Sequence, residues 1–541
     1  MVAYLGDLGD ADRLGVAQAA SGRTDDCLLF DSTSPRFVEI DTTRVRVENV
    51  REFGGAWLAL GLIDKLGLRS FLDERMPARR EEIPWSVTAL VLVIGRLLDP
   101  SSELRLAEHL YERTALPDLL GVPASKVNDD RLYRGLDKLL PHKDALQAHL
   151  KNRLGELFDL KYDLLLYDVT STYFEGQCLA NPAAQRGYSR DQRFDCKQVC
   201  IALVVSRCGM PVGYELFAGN RSDVTTVEEI VTTMEGRYGK SERIWVMDRG
   251  MSSADNIEFL RQENRRYIIG TPKSMLKKYQ RELLKGDWSK VREGLEVKLC
   301  QDPESKSDET FILCRSSDRA DKERAMHDRF EKRIEEGLTR IVNACDRQKL
   351  DAVKVSHRVG KLLGQNTRAA GAFKTNIHVD EQGRAMLKWE KVESWRDWSR
   401  LSEGCYLLRS NVRNWSAEEL WQAYMQLTEA EGAFRIHKSD LSLRPVWHQK
   451  QQRVEAHVLV CFLAYVLWKT LAQWCKSAGL GDEPRKVLDE IAQVAMVDVV
   501  LPTRDGREIV KRCIAQASEH QKLLLHRLKL HLPTHLESWP L

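Results

Sequence analysis

Two short apolar runs, each leading into an aspartate, constrain this chain more than anything else in it. Leu164-Leu-Leu-Tyr167 runs into Asp168, and Ile244-Trp-Val-Met247 runs into Asp248. Runs of this length predict buried strands, and a buried strand tolerates a carboxylate only where the chain leaves the core and meets solvent, metal or substrate. Both strands are therefore expected to end at their aspartates. The two carboxylates are expected to lie side by side if the strands are neighbours.

At 541 residues the chain is too long for one core, and 43% apolar with 30% charged residues is the composition of a folded protein. Eighty-two basic residues against 79 acidic ones leave a formal charge of +3, so any nucleic-acid surface has to come from local clustering. The twelve cysteines are scattered. Cys196, Cys200 and Cys208 lack the paired spacing of a zinc site, which leaves buried reduced thiols and a reducing compartment as the expectation. The first residues lack a basic start with an apolar run, and Val458 to Trp468 is too short an apolar stretch to span a bilayer. A cytoplasmic protein without a membrane partner is expected.

The chain divides by pattern. Residues 1–37 read as a leader or arm. Residues 38–160 have apolar positions at helical spacing, with Pro84 and the Asp99-Pro100 pair bracketing a helix, and predict an all-helical domain. Within it Asn128 caps a helix that carries Arg131, Arg134 and Lys138 on one face, as a helix laid along DNA requires; a solvated face is the alternative. From Tyr162 the pattern is strand, strand, strand, helix, strand, helix, strand. That order describes a mixed sheet covered by helices and assigns 161–272 to the first part of a catalytic core. Residues 273–410 read as an inserted α/β subdomain with one long charged helix from Asp318 to about Leu363. Residues 411–480 resume the core, and 481–541 form a helical segment whose leucines, Leu523 to Leu532, pack internally or support dimerisation.

Ser416-x-x-Glu419 is a capping box, expected to open one long helix to about Leu441. Tyr424, Glu431 and Lys438 recur every seven residues, so on a single helix they form one stripe. Taken alone, this is a common support pattern for a helix. With Asp168 and Asp248 it supplies a third carboxylate, and three carboxylates suit two hard Mg²⁺ or Mn²⁺ ions roughly 3.5 to 4 Å apart in phosphoryl transfer.

At this point the residues resemble a family. The segments Tyr-Asp168-Val-Thr-Ser-Thr-Tyr-Phe-Glu-Gly, Val-Met-Asp248-Arg-Gly-Met and Glu431-Gly-Ala-Phe-Arg-Ile-His-Lys438 are similar to those of bacterial insertion-sequence DDE transposases of the IS4 superfamily, and most similar to the IS1634-like group. The resemblance implies an RNase H-like catalytic domain interrupted by an insertion. It also implies an α/β multidomain fold in which Asp168, Asp248 and Glu431 bind two Mg²⁺ or Mn²⁺ ions. The activity implied is cut-and-paste transposition, with cleavage at terminal inverted repeats and transfer of the 3′-hydroxyl ends into target DNA, carried out by a homodimer on double-stranded DNA. Tyr424, Lys438 and Arg249 are then expected at backbone phosphates, with Arg444 and His448 extending that surface. The family signature places an Arg where this chain has Leu427, and Arg435, four residues after Glu431, is the expected substitute. Trp389, Trp395 and Trp398 are candidates to stack on an unpaired base, or else pack in the core. His448 is equally suited to a structural hydrogen bond.

Two other classes compete. One is a catalytically inactive transposase-derived DNA-binding protein, which Leu427 leaves room for. The other is a metal-independent hydrolase using Asp168 and Asp248 as acid and base, which leaves the Tyr424 to Lys438 stripe without a purpose.

Overall fold

The computed structural model describes residues 39–240, 242–303, 309–348, 350–381, 383–504 and 506–534; the leader expected over 1–37 lies outside them. Three leading strands, β2 (Leu164–Tyr173), β3 (Gln198–Ser206) and β4 (Pro211–Ala218), form an antiparallel meander, because Cys208-Gly209 supplies a tight turn with Gly209 at φ 75°. Two helical crossovers then place β5 (Ile244–Met247) and β6 (Arg266–Gly270) parallel to β2. The resulting order β4-β3-β2-β5-β6, with its first three strands antiparallel and its last two parallel to β2, is the mixed sheet that the strand pattern predicts and the RNase H-like arrangement that the resemblance implies.

The sheet does not stop there. The strands β7 (Ser289–Arg292), β8 (Leu295–Gln301), β9 (Thr310–Ser316) and β12 (Cys405–Ser410) continue it to nine strands, β12 pairing with both β6 and β9. Residues 273–410 are therefore not one separate insert. Only the hairpin β10 (Phe373–Val379) with β11 (Ala385–Lys391) stands apart, packed with two helices around Ile334, Leu338, Val355 and Leu387. The single charged helix expected there is two, Ser317–Arg347 and Ala352–Gln365, because Asp351 caps a new start by accepting from the Val353 N–H.

The ends of the chain also depart from expectation. β1 (Arg46–Glu52) opens a region predicted to be wholly helical, and it pairs with β13 (Ala495–Pro502), which pairs with β14 (Glu508–Ile514), both in a segment predicted to be helical. Alternating Val497, Val499 and Ile509 carry a strand period that a search for leucine spacing misses. The helix Glu519–Arg527 buries Leu524 and Leu525, so most of the terminal leucines pack internally while Leu523 stays exposed.

One apolar cluster runs from Leu58 and Ile94 through Leu136, Leu166 and Leu203 to Leu459 and Leu525. Its axis is the 27-residue helix Gln451–Ser477, which is long and apolar enough to cross a membrane yet is 89% buried over its apolar window. That helix packs against the N-terminal helices on one side and against β4 and the helix Thr428–Lys438 on the other.

Candidate active site

The pairing of β2 with β5 fixes the first two carboxylates. Their parallel register ends at Tyr167↔Met247, so Asp168 and Asp248 are the next residue on each strand, about one strand spacing (~4.8 Å) apart. Asp248 follows the last residue of β5, as expected. Asp168 does not end its strand: β2 runs five residues further, to Tyr173, because β3 continues to pair with it from Leu203 opposite Asp168 to Gln198 opposite Tyr173. A carboxylate is tolerated within this strand because the parallel neighbour stops at its level and leaves one side open.

Glu431 is exposed on the helix Thr428–Lys438, which buries Ala430, Ala433 and Phe434 against β2 and β3. Asp168 is half-buried, and burial pushes its carboxyl up to about 7; the Val169 N–H that donates to Oδ1 at 2.8 Å and the nearby Arg190 pull the other way, while Asp248 and Glu431 add to the rise. A carboxyl raised chiefly by burial, with two further carboxylates adding to the rise, is a place where a dication would favour the charged form, and the oxygen-only donor set suits Mg²⁺ or Mn²⁺.

The stripe predicted on one helix is broken into two. Tyr424 lies on Ala417–Met425, opened by the Ser416/Glu419 capping box, and the chain tightens into three-residue turns at 426–430 before the next helix. Even so, the Tyr424 hydroxyl donates to Asp248 Oδ1 at 3.4 Å, and its ring fits because residue 270 is glycine: a Cβ there would lie 2.5 Å from the Tyr424 oxygen. Leu427 is 7% exposed and belongs to the main apolar cluster. Its position points into the core, so it is no place for a phosphate contact in this chain. Arg435 and Arg249 are exposed.

Lys438 and Arg444 are not free cations. Both bind Oδ1 of Asp191, Lys438 at 2.9 Å, and the Asp191 side chain is 5% exposed with Oδ2 unpartnered. Burial lowers the Lys438 ammonium despite that carboxylate. Arg190, next in the chain, pairs with Asp223 and takes the Ser171 hydroxyl at its backbone N–H (3.3 Å). Asp191 and Arg190 lie in an irregular segment with no periodicity to mark them, and the sequence reading missed both.

Three further expectations meet different surroundings. The His448 side chain is 9% exposed and sits 3.3 Å from Glu103 and 5.3 Å, ring to ring, from His457, so it joins the N-terminal helices to the catalytic region instead of facing DNA. Arg131 lies over Trp85 and donates to Thr88 and Ile83, whereas Arg134 and Lys138 on the same helix are exposed. Trp389 and Trp395 pack on the hairpin core, and Trp398 packs beside Leu276 and Leu407. None of the three tryptophans is open to solvent in the manner of a stacking platform.

Glu103, His448 and His457 are the only three described residues of His, Cys, Asp or Glu type whose ligand atoms all lie within 4.8 Å of one another. The three cysteines at 196, 200 and 208 form no such group, and every described cysteine is free. Arg96 already stands 3.5 Å from His457 Nδ1, and burial together with that cation lowers the His457 imidazole to about 3. Glu103 is held below the carboxylate range by His448 and His457, against the effect of burial. The cluster thus reads as a neutralised ion-pair network, since a dication beside Arg96 would concentrate positive charge in the core.

A search of curated proteins returns no match. Among solved structures, the chain is similar to the one described as a cryo-EM structure of the piggyBac transposase synaptic complex with hairpin DNA (11% identity, TM-score 0.37, 84% of this chain and 82% of that one covered). It also matches one described as the Mos1 transposase paired-end complex with left transposon end (12% identity, TM-score 0.15, 35% and 59% covered). The profile of the transposase DDE domain matches residues 159–467, which is more than half of the chain and includes Asp168, Asp248 and Glu431. The chain belongs to the transposase DDE domain family.

Proposed function

We propose that this protein is a cut-and-paste DNA transposase of the IS4 superfamily, IS1634-like, that cleaves at terminal inverted repeats and joins the freed 3′-hydroxyl ends to target DNA. The observation that carries the reading is the strand register that sets Asp168, within β2, beside Asp248, the residue after β5, with Glu431 on a helix packed against β2. Asp168, Asp248 and Glu431 would hold two Mg²⁺ or Mn²⁺ ions. Such ions supply an activated water or 3′-hydroxyl and stabilise the leaving oxygen of an in-line displacement.

The rest of the site positions and neutralises. The Tyr424 hydroxyl fixes one oxygen of Asp248 and leaves the other for coordination. Arg190 limits the charge around Asp168. Arg249 and Arg435, exposed around the carboxylates, suit backbone phosphates, and Arg134 with Lys138 offers a second basic face on the N-terminal helices. Lys438 and Arg444 contribute through Asp191, by shaping the wall of the site. A homodimer is the proposed assembly, because joining two ends requires both to be held together.

The test is incubation of the protein with duplexes carrying the ends that flank its gene. Mg²⁺-dependent nicking at the element boundary, abolished by chelation and by Asp248→Ala, is the expected result. End binding without cleavage under any divalent metal would favour the inactive DNA-binding alternative.

A further inference from the structure

The charged stretch from Asp318 to about Leu363 is two helices of different character. Ser317–Arg347 carries eight acidic and eight basic residues, and several of them pair within the helix or with neighbouring elements. Ala352–Gln365 carries no acidic residue at all, and its charged side chains are Lys354, Arg358 and Lys361, with His357 among them. Spacings of four and three put the three cations on one face, within about 60° of arc. All three are exposed, as is His357, and among the described residues none of the three makes an ion pair or a side-chain hydrogen bond. The other face is buried through Val355 and Val359 in the cluster around the β10–β11 hairpin. Like charges three and four residues apart weaken a helix, so an ordinary solvated face mixes its signs, as Ser317–Arg347 does.

The same helix holds two glycines, Gly360 and Gly364, on its solvent side next to the cations. A Cβ at either would meet nothing within 4 Å, so packing does not require glycine at these positions. Glycine inside a helix lowers its stability, and here the pair leaves the backbone bare along one flank of the basic face. A bare flank beside unpaired cations lets an extended anion approach the helix closely. Charge complementarity selects the phosphate backbone of duplex DNA, a regular row of anions that three cations on one face match without reading any base. An amphipathic basic helix also suits an anionic bilayer, but this one has its apolar face in the hairpin core and has none left to insert.

We infer that Lys354, Arg358 and Lys361 form a sequence-independent contact to the backbone of duplex DNA, carried on the hairpin subdomain and separate from the carboxylates on the main sheet. The choice of DNA rests on the transposase reading, and the test separates the two. Binding of a duplex of unrelated sequence is measured in chelator at rising salt for wild type, for Lys354→Gln/Arg358→Gln/Lys361→Gln, and for Lys322→Gln/Arg329→Gln/Lys332→Gln, which removes the same charge from Ser317–Arg347. The first variant is expected to bind about tenfold more weakly at low salt and to lower the slope of log affinity on log salt by about 2 to 3, and the second to lower it by less than about 1. Exchanging the cations, as Lys354→Arg/Arg358→Lys/Lys361→Arg, is expected to keep the wild-type slope. In wild type the duplex is also expected to protect Lys354 and Lys361, but not Lys322 and Lys332, from an acylating reagent, read by peptide mass spectrometry. An unchanged slope in the first variant, an equal loss in both glutamine variants, or no protection would overturn the contact, and wild-type cleavage of the element end would leave the transposase reading standing. Wild type that binds no duplex would overturn both. Duplex binding with the lowered slope but no end cleavage under any divalent metal would keep the contact and remove the transposase reading. Protection that appears on raising protein concentration without DNA would assign the face to a second copy and overturn the contact.

Discussion

Asp168 is the residue whose chemistry differs most from its ordinary behaviour. Its carboxyl sits at about 7 because burial and the Asp248 and Glu431 carboxylates disfavour charge, and an unfolded aspartate titrates near 3.8. Between those values the folded protein holds a proton that the unfolded chain has released, so the metal-free protein loses stability as pH rises through this window. The loss amounts to at most about 4 kcal/mol. A bound dication displaces that proton. The thermal shift produced by Mg²⁺ is therefore expected to grow from pH 5.5 to pH 7.5, with about one proton released per Asp168 site in calorimetry performed in two buffers below pH 7. Asp168→Asn is expected to flatten the pH dependence of the metal-free midpoint and remove the Mg²⁺ shift; a Mg²⁺ shift that persists in this variant would place the metal elsewhere.

At the scale of elements, the strands were legible because their apolar runs are short and their aspartates stand where the core opens. The register that sets Asp168 beside Asp248 follows from both apolar runs pairing in parallel up to Tyr167 opposite Met247. The continuation of β2 past Asp168 is carried by the β-favouring residues Val169, Thr170, Thr172 and Tyr173, a signal overridden by the expectation that a carboxylate ends a buried strand. The Tyr424 to Lys438 stripe, expected on one helix, is divided between two, with Tyr424 on the first and Glu431 and Lys438 on the second. A helix opened by a capping box and a second without a side-chain cap meet at 426–427, and only the packing shows that Leu427 is inside. It follows that the departure from the family signature at this position is structural. Leu427→Ala is expected to lower unfolding stability by about 2 to 4 kcal/mol in urea titrations, and Leu427→Arg by at least as much, without a gain in DNA affinity. An arginine variant as stable as wild type that bound ends more tightly would show that the position does face DNA.

On the scale of the whole molecule, pattern reading cut the chain into consecutive domains, and the fold sews them together. β1 near the start pairs with β13 near the end, and a Cβ at Gly54 would lie 1.9 Å from the Ile491 carbonyl oxygen, so the first helix is docked against the C-terminal segment. Local periodicity carries no information about such a partner more than 400 positions away, which is why the C-terminal segment reads as helical, with internal packing and dimerisation both open. Truncation after Leu480 is expected to yield an aggregating or dye-binding protein with a broadened thermal transition, because Phe53, Ala115 and the strand β1 lose their cover. A truncated protein that melted as sharply as wild type and lost only self-association would restore the earlier view. The same closure places the buried Glu103, His448 and His457 network where the N-terminal helices meet the helix Gln451–Ser477, and it joins them by packing.

The central claim is that Asp168, Asp248 and Glu431 act as one metal-binding unit on DNA. The most direct test is single-turnover cleavage of the element end in Mg²⁺ by Asp168→Asn, Asp248→Asn and Glu431→Gln, with end binding measured in chelator on the same preparations. Each variant is expected to cleave at least about a thousandfold more slowly than wild type while binding the end within a few-fold of it, as loss of a catalytic metal ligand demands. Cleavage within tenfold of wild type by any one of the three, with binding intact, would contradict the account.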